Sequence, residues 1–142
     1  MKRYVLGFAF DEKRSNVVLI EKNRPEWQAG FLNGVGGKIE PEETNYHTAM
    51  SREFQEETGL KINKWLMFAR MIFNNDVLGG VAEVYCFKVS TDEVFQCKTM
   101  ESEEVKILSV SDVFNHKTIG HLKTLIPMAL DDSINFVELN MK

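Results

Sequence analysis

The chain has 142 residues, 44% hydrophobic and 27% charged, a size and composition that suit one soluble domain over residues 1–142 with one core. Its 17 basic and 21 acidic residues give a formal net charge of −4, so no general electrostatic pull draws it to DNA or anionic lipid. An anionic ligand must then be met locally, by a bound cation or a few placed basic groups.

From the N-terminus, Met1-Lys2-Arg3 leads into an apolar run, Tyr4 to Phe10, closed by Asp11-Glu12-Lys13-Arg14. The run is short for a signal-peptide core, no small-residue cleavage site follows it, and it reads as a first strand. Asn16 to Glu21, with four consecutive aliphatic residues, reads as a buried strand. Residues 23–34 are loop-like, punctuated by Pro25, Gly30 and Gly34. The spacing of Ala49, Met50 and Phe54 predicts a helix over Tyr46–Thr58, capped by Thr44 or Asn45 and stopped by Gly59.

Leu60 to Phe73 holds one or two strands, Val81 to Val89 another, and Val105 to Val110 a shorter one. Ser111 and Asp112 could cap a brief helix. A second helix is expected over His121–Leu130, broken or restarted near Pro127, and a closing strand over Ile134–Leu139. Strands outnumber helices without strict alternation, which indicates an α+β or three-layer α/β/α architecture. No apolar stretch is long enough to cross a bilayer. Cys86 and Cys97 are too few for a disulfide framework and show no metal-binding spacing, which fits two reduced thiols in a reducing compartment, hence a cytoplasmic protein.

The chemistry is concentrated in Gly36-Gly37-Lys38-Ile39-Glu40-Pro41-Glu42-Glu43 and Arg52-Glu53-Phe54-Gln55-Glu56-Glu57-Thr58-Gly59-Leu60. Glu53, Glu56 and Glu57 stand at i, i+3 and i+4 and share one helix face. Three carboxylates there repel one another, and a hard divalent cation, Mg²⁺ or Mn²⁺, would reverse that penalty. The plainer alternative is a solvated acidic face, and E-x-x-E-E alone favours it. The flanks argue otherwise: Arg52 can hold a neighbouring carboxylate bidentately, and Gly36-Gly37 lets the backbone approach a metal or phosphate closely.

These residues resemble the Nudix box, G-x5-E-x7-R-E-U-x-E-E-x-G-U, where U is an apolar residue. Gly37, Glu43, Arg52, Glu53, Phe54, Glu56, Glu57, Gly59 and Leu60 match in type and order. Eight residues, 44–51, separate Glu43 from Arg52 where the pattern has seven, which leaves Glu42 as an alternative to Glu43. Upstream, Arg24-Pro25-Glu26-Trp27 and Phe31 to Lys38 are similar to the lead-in of the MutT-like branch. The resemblance implies the Nudix fold, an α/β/α sandwich with a central mixed sheet. It also implies an Mg²⁺-dependent pyrophosphohydrolase acting on a nucleotide, most simply a (deoxy)nucleoside triphosphate.

It further implies Glu53, Glu56, Glu57 and the Gly37 carbonyl as metal ligands and Arg52 as the residue that orients a carboxylate. Glu57 or Glu104 is the expected general base, Glu104 being favoured over Glu101 as the extra metal-binding acid from outside the box. Asn33 is a base contact or a turn residue. Trp27 is a stacking surface or a loop anchor, and Lys38 reaches a phosphate or is a plain surface lysine. His47, His116 and His121 show no ligand spacing and read as surface or loop residues. ADP-ribose, dinucleoside polyphosphates, NADH and capped RNA are alternative substrates, and a non-catalytic nucleotide binder is an alternative of another class. The expected partner is the nucleotide alone, with no DNA or membrane, in a monomer or homodimer.

Overall fold

In a computed structural model the apolar run at the N-terminus becomes the centre of a sheet. The structure describes residues 1–75 and 80–142. Among the described residues the eight strands are β1 (Lys2–Phe10), β2 (Asn16–Glu21), β3 (Leu32–Asn33), β4 (Val35–Lys38), β5 (Leu66–Asn75), β6 (Gly80–Ser90), β7 (Glu104–Ser109) and β8 (Val137–Met141). The helices among them are α1 (Tyr46–Thr58) and α2 (Leu122–Leu130), with short 3-10 turns at Glu26–Gln28, Asp92–Gln96 and Val110–Asn115. The strand order is β3-β2-β1-β6-β5-β8, with β4 also paired to β1 and β7 to β2. β1 runs parallel to β6, and β5 to β8, while the remaining pairs are antiparallel. The sheet is therefore mixed and the fold α+β.

The unbroken apolar reading of β1 and β2 has a simple cause. Both strands are covered on both faces, so neither alternation partner can be polar. Val5, Ala9, Val18 and Ile20 pack on one side with Ala49, Met50 and Phe54 of α1 and with Trp65. Leu6, Phe8, Phe10, Val17 and Leu19 pack on the other with Leu122, Leu125, Ile126 and Ala129 of α2. Burying side chains of this size contributes about 1.5–3 kcal/mol each. Helix α1 is thus anchored through its apolar face, which leaves its acidic face free for chemistry.

Local signals set the ends of α1. Asn45 accepts hydrogen bonds from the N–H groups of His47 and Thr48, and Gly59 turns left-handed at φ 78° while its N–H reaches the Gln55 carbonyl. Helix α2 runs unbroken through Pro127, contrary to the expected interruption. Pro127 and Lys123 both face solvent, so the carbonyl that loses its i+4 donor can be hydrated. β3 and β4 lie where loop was expected over residues 23–34 and just beyond, and β8 begins three residues later than Ile134.

Candidate active site

The Gly36-Gly37 pair lies on β4, where Val5 pairs with Gly37 and Leu6 with Gly36. A side chain at Gly36 would put its Cβ 2.0 Å from the Val5 carbonyl oxygen, and one at Gly37 would sit 2.5 Å from the Glu53 carboxylate. The first glycine lets β4 lie against β1; the second lets the Glu53 carboxylate close on the strand. Gly37→Ala would displace that carboxylate. We expect catalytic activity to fall at least tenfold with little change in the thermal midpoint, because the atoms that must yield are the flexible end of Glu53, read by thermal denaturation beside a rate assay.

Arg52 joins the acids. Its Nε–H donates to Glu43 Oε2 at 2.9 Å and its Nη2–H to Glu43 Oε1 at 2.7 Å, a bidentate pair. Nη1 donates to Glu53 Oε1 at 3.0 Å and to both Glu56 oxygens at 3.2 Å. Glu43 also accepts the Glu40 N–H at 2.9 Å, closing the turn around Pro41. The eight residues between Glu43 and Arg52 span the turn at 44–45 and the first turns of α1, which carries Arg52, Glu53, Glu56 and Glu57 in one unbroken helix. Glu42 points to solvent, and Glu43 is the partner of Arg52. Hydrogen bonds from Arg52 hold the Glu43 carboxyl below its ordinary range against the effect of burial.

The C-terminal turn of α1 captures a loop. Lys98 N–H donates to the Thr58 carbonyl at 2.9 Å and Met100 N–H to the Glu57 carbonyl at 3.2 Å, satisfying carbonyls that the helix leaves open. Glu101 is thereby brought over Glu57. Burial, then the charges of Glu101 and Glu103, a hydrogen bond with Glu101 and the charge of Glu53, push the Glu57 carboxyl up to about 7. Its Oε2 is buried without a hydrogen-bond partner. Burial also raises Glu53; Arg52 opposes this, while Glu56 and Glu101 add to it.

Glu103 is buried and receives Lys22 Nζ at 3.0 Å and the Asn23 N–H at 2.8 Å, tying the loop after β2 to the same cluster. Glu104 lies elsewhere. It opens β7 opposite Glu21, its side chain is 61% exposed, and its Oε2 lies 3.7 Å from Lys106 Nζ. The loop acids whose charges bear on Glu57 are Glu101 and Glu103, and not the Glu104 favoured from sequence.

Among the described residues no three His, Cys, Asp or Glu side chains close on one point as they stand. Glu53 and Glu56 are both paired with Arg52. The donor set nevertheless fits a hard divalent cation. It is all oxygen, it carries more negative than positive charge, and it includes an orphaned buried carboxylate oxygen on Glu57 and a Glu53 carboxylate that closes on Gly37 where a Cβ would stand. Glu53, Glu56, Glu57 and Glu101, with the backbone of Gly37, are the groups that would hold such an ion.

Of the remaining residues singled out in the sequence, Lys38 is exposed at the end of β4 and Trp27 stands 64% exposed on the turn after β2, so it is no loop anchor. Asn33 is half-buried on β3. His121, expected on the surface, is largely enclosed at the head of α2, with Nε2 3.3 Å from Asn33 Oδ1. Sequence carried no sign of this contact, which spans 88 positions. Both cysteines are free, Cys86 buried and Cys97 half-buried. No helix among the described residues is long and apolar enough to cross a membrane.

A mixed sheet between helices, with an arginine-tied acid cluster at a Gly-Gly strand, defines a fold and site of the Nudix class. The chain belongs to the Nudix family: the NUDIX domain family matches residues 1–127. Among solved structures it is similar to the NUDIX domain of Shewanella oneidensis NrtR complexed with ADP ribose (16% identity, TM-score 0.76, covering 89% of this chain and 84% of that one). It is also similar to MutT from a study of Aliivibrio salmonicida and Vibrio cholerae (22%, 0.71, 91% and 96%), and to the MutT protein of Bacillus halodurans (15%, 0.72, 100% and 91%). The S. oneidensis NrtR has also been solved with a 27mer DNA; this chain covers 59% of that longer one (17%, 0.72, 89% of this chain). No curated protein matches the sequence.

Proposed function

We propose that the protein is an Mg²⁺-dependent pyrophosphohydrolase of the MutT-like branch, cleaving a (deoxy)nucleoside triphosphate to nucleoside monophosphate and pyrophosphate. The observation that carries this reading is Glu57: a carboxylate with one oxygen buried and unpartnered, at the centre of an acid cluster on α1. A general base must present an open oxygen to the water it deprotonates. Glu57 Oε2 takes the proton from the water that attacks phosphorus. Glu53 and Glu56 stand on the same helix face as ligands, Glu101 joins them from its loop, and the Arg52 guanidinium holds the Glu43 and Glu53 carboxylates in place. Mg²⁺ bound there would supply neutralisation of phosphate oxygens and a water of lowered pKa. Lys38 is available for a phosphate, and Asn33 and Trp27 for the base.

Six carboxylates, on Glu43, Glu53, Glu56, Glu57, Glu101 and Glu103, stand against Arg52 and Lys22, so without a cation the site repels a triphosphate. The same acidity, with the net charge of −4, disfavours DNA as a partner. The test is a panel with Mg²⁺: nucleoside and deoxynucleoside triphosphates, dinucleoside polyphosphates, ADP-ribose and NADH. Monophosphate release from a triphosphate is the expected result. Turnover of ADP-ribose alone would move the protein to another branch, and nucleotide binding without any product would make it a binding domain.

A further inference from the structure

Strand register sorts the acids that precede β7. Val18 and Ile20 of β2, and Val105 and Ile107 of β7, pack on the α1 side of the sheet. Side chains alternate along a strand, so Lys22, two residues beyond Ile20, and Glu103, two before Val105, fall on that same side. The last ladder pair is Glu21 with Glu104, and Lys22 and Glu103 come directly after it on the two chains. They meet there. Lys22 Nζ donates to Glu103 Oε1 at 3.0 Å, the Asn23 N–H to Glu103 Oε2 at 2.8 Å, and Asn23 Nδ2 to the Ser102 carbonyl at 3.1 Å. Both Glu103 oxygens are thereby engaged, and the side chain is only 8% exposed. A carboxylate so enclosed depends on its cation.

The two segments joined in this way have separate attachments. Lys22 closes the β2–β3 connection: its N–H donates to the Phe31 carbonyl at 2.8 Å and its carbonyl accepts the Gly30 N–H at 2.8 Å. On the other side, the Lys98 and Met100 N–H groups hold the end of α1, next to Glu101, whose charge bears on Glu57. Thr99 Oγ1 accepts the Val105 N–H at 2.9 Å. The acid loop is thus fixed to α1, to β7 and to the residue that closes the β2–β3 connection.

We propose that Lys22 is a positioning residue: through Glu103 it holds the acid loop against α1, so that Glu101 is available as a ligand to a divalent cation on Glu53, Glu56 and Glu57. This rests on the reading of that cluster as a metal site. Glu103, with both oxygens occupied, is a latch and not a ligand, and Lys22 touches neither metal nor substrate. The sign of the effect separates this role from simple charge. Removing a cation makes the cluster more negative, and on Coulomb grounds alone the metal should then bind more tightly. Removing a latch lets the loop give way to hydrate Glu103, and the metal should bind more weakly.

Mn²⁺ binding to the full chain without nucleotide, followed by electron paramagnetic resonance, reads the difference. Lys22→Met keeps the stem without the charge, and its Mn²⁺ dissociation constant should rise about tenfold, the lower end of what loss of an outer-shell partner costs. Lys22→Arg keeps a cation on Glu103 and should stay within about threefold of wild type. Asn23→Ala removes only the bond to the Ser102 carbonyl and should shift the constant in the same direction by less. At saturating Mg²⁺ the kcat of Lys22→Met should return to within about twofold of wild type, the loss residing in the metal requirement. In the metal-free protein, hydrogen exchange at the Lys98 and Met100 amides should quicken about tenfold in Lys22→Met and stay unchanged in Lys22→Arg.

Equal or tighter Mn²⁺ binding by a folded Lys22→Met variant, or unchanged exchange at Lys98 and Met100, overturns this inference alone. If Lys22→Met does not fold, Asn23→Ala decides by the same two measurements. A wild type that binds no Mn²⁺ removes the metal reading of the cluster and the role of Glu101 with it, while the exchange rates still report whether Lys22 holds the loop.

Discussion

Glu57→Gln should abolish most of the activity and, in metal-free buffer, make the protein more resistant to heat. Loss of a positioned base costs about 10²–10⁴-fold in rate. The gain in stability follows from the same carboxylate. In the folded chain burial and the neighbouring acids lift Glu57 to about 7, above the roughly 4.3 of a free glutamate. The folded state therefore holds this proton more tightly than the unfolded chain. The stability linked to Glu57 is full below the unfolded pKa and is lost as pH rises through the folded one. Metal-free wild type should be less stable at pH 8 than at pH 5.5 on this account, and Glu57→Gln should flatten that slope. An advantage of 1 kcal/mol at pH 8 corresponds to about 3–5 °C for a chain of this length. Mg²⁺ should stabilise the wild type more than the variant. Thermal denaturation at the two pH values, with and without Mg²⁺, reads the effect. A fully active Glu57→Gln enzyme would remove Glu57 from the chemistry, and identical pH slopes would show that the carboxylate is not strained in the absence of metal.

The two halves of that experiment differ in how far sequence reached them. The ends of α1 followed from Asn45 and Gly59, and the register of Arg52, Glu53, Glu56 and Glu57 from helical spacing alone. β1 and β2 were legible because strands covered on both faces need continuous apolar runs. β4 was not, since Gly36-Gly37 has no strand propensity and is extended only through its pairing with β1. The loop acids show the limit most clearly. Glu101, Glu103 and Glu104 look equivalent in sequence, and what separates them is where β7 begins. Glu104 is already in the ladder with its side chain turned to Lys106, whereas Glu101 is carried to Glu57 by backbone bonds to the end of α1. His121 is a similar case, because its partner Asn33 lies on β3, far away in the chain.

Arg52→Ala is expected to have the larger structural effect. The guanidinium is 27% exposed and contacts three carboxylates, of which the Glu43 and Glu53 side chains are each only 12% exposed. Removing it leaves Glu43 with the Glu40 N–H alone and Glu53 beside Glu56 and Glu101 without a cation. Stranding charges in this way costs about 3–5 kcal/mol when they are buried, and this site is partly open, so about 2–4 kcal/mol is expected. The pH dependence has its own sign. Arg52 holds the folded-state pKa of Glu43 below the unfolded one, so the stability from this pair is present above the unfolded pKa and lost as pH falls through the folded value. Arg52→Ala should therefore be most damaging near pH 7–8, and the gap to wild type should narrow in acid. Arg52→Lys keeps the charge but not the fork on Glu43, and should recover part of the stability and little of the activity. Glu43→Gln removes one of the stranded charges, so the Glu43→Gln/Arg52→Ala pair should be less destabilised than the two single changes summed. Strict additivity in that cycle would mean that Arg52 and Glu43 do not act as a unit, and the role of Arg52 would then lie with Glu53 and Glu56 alone.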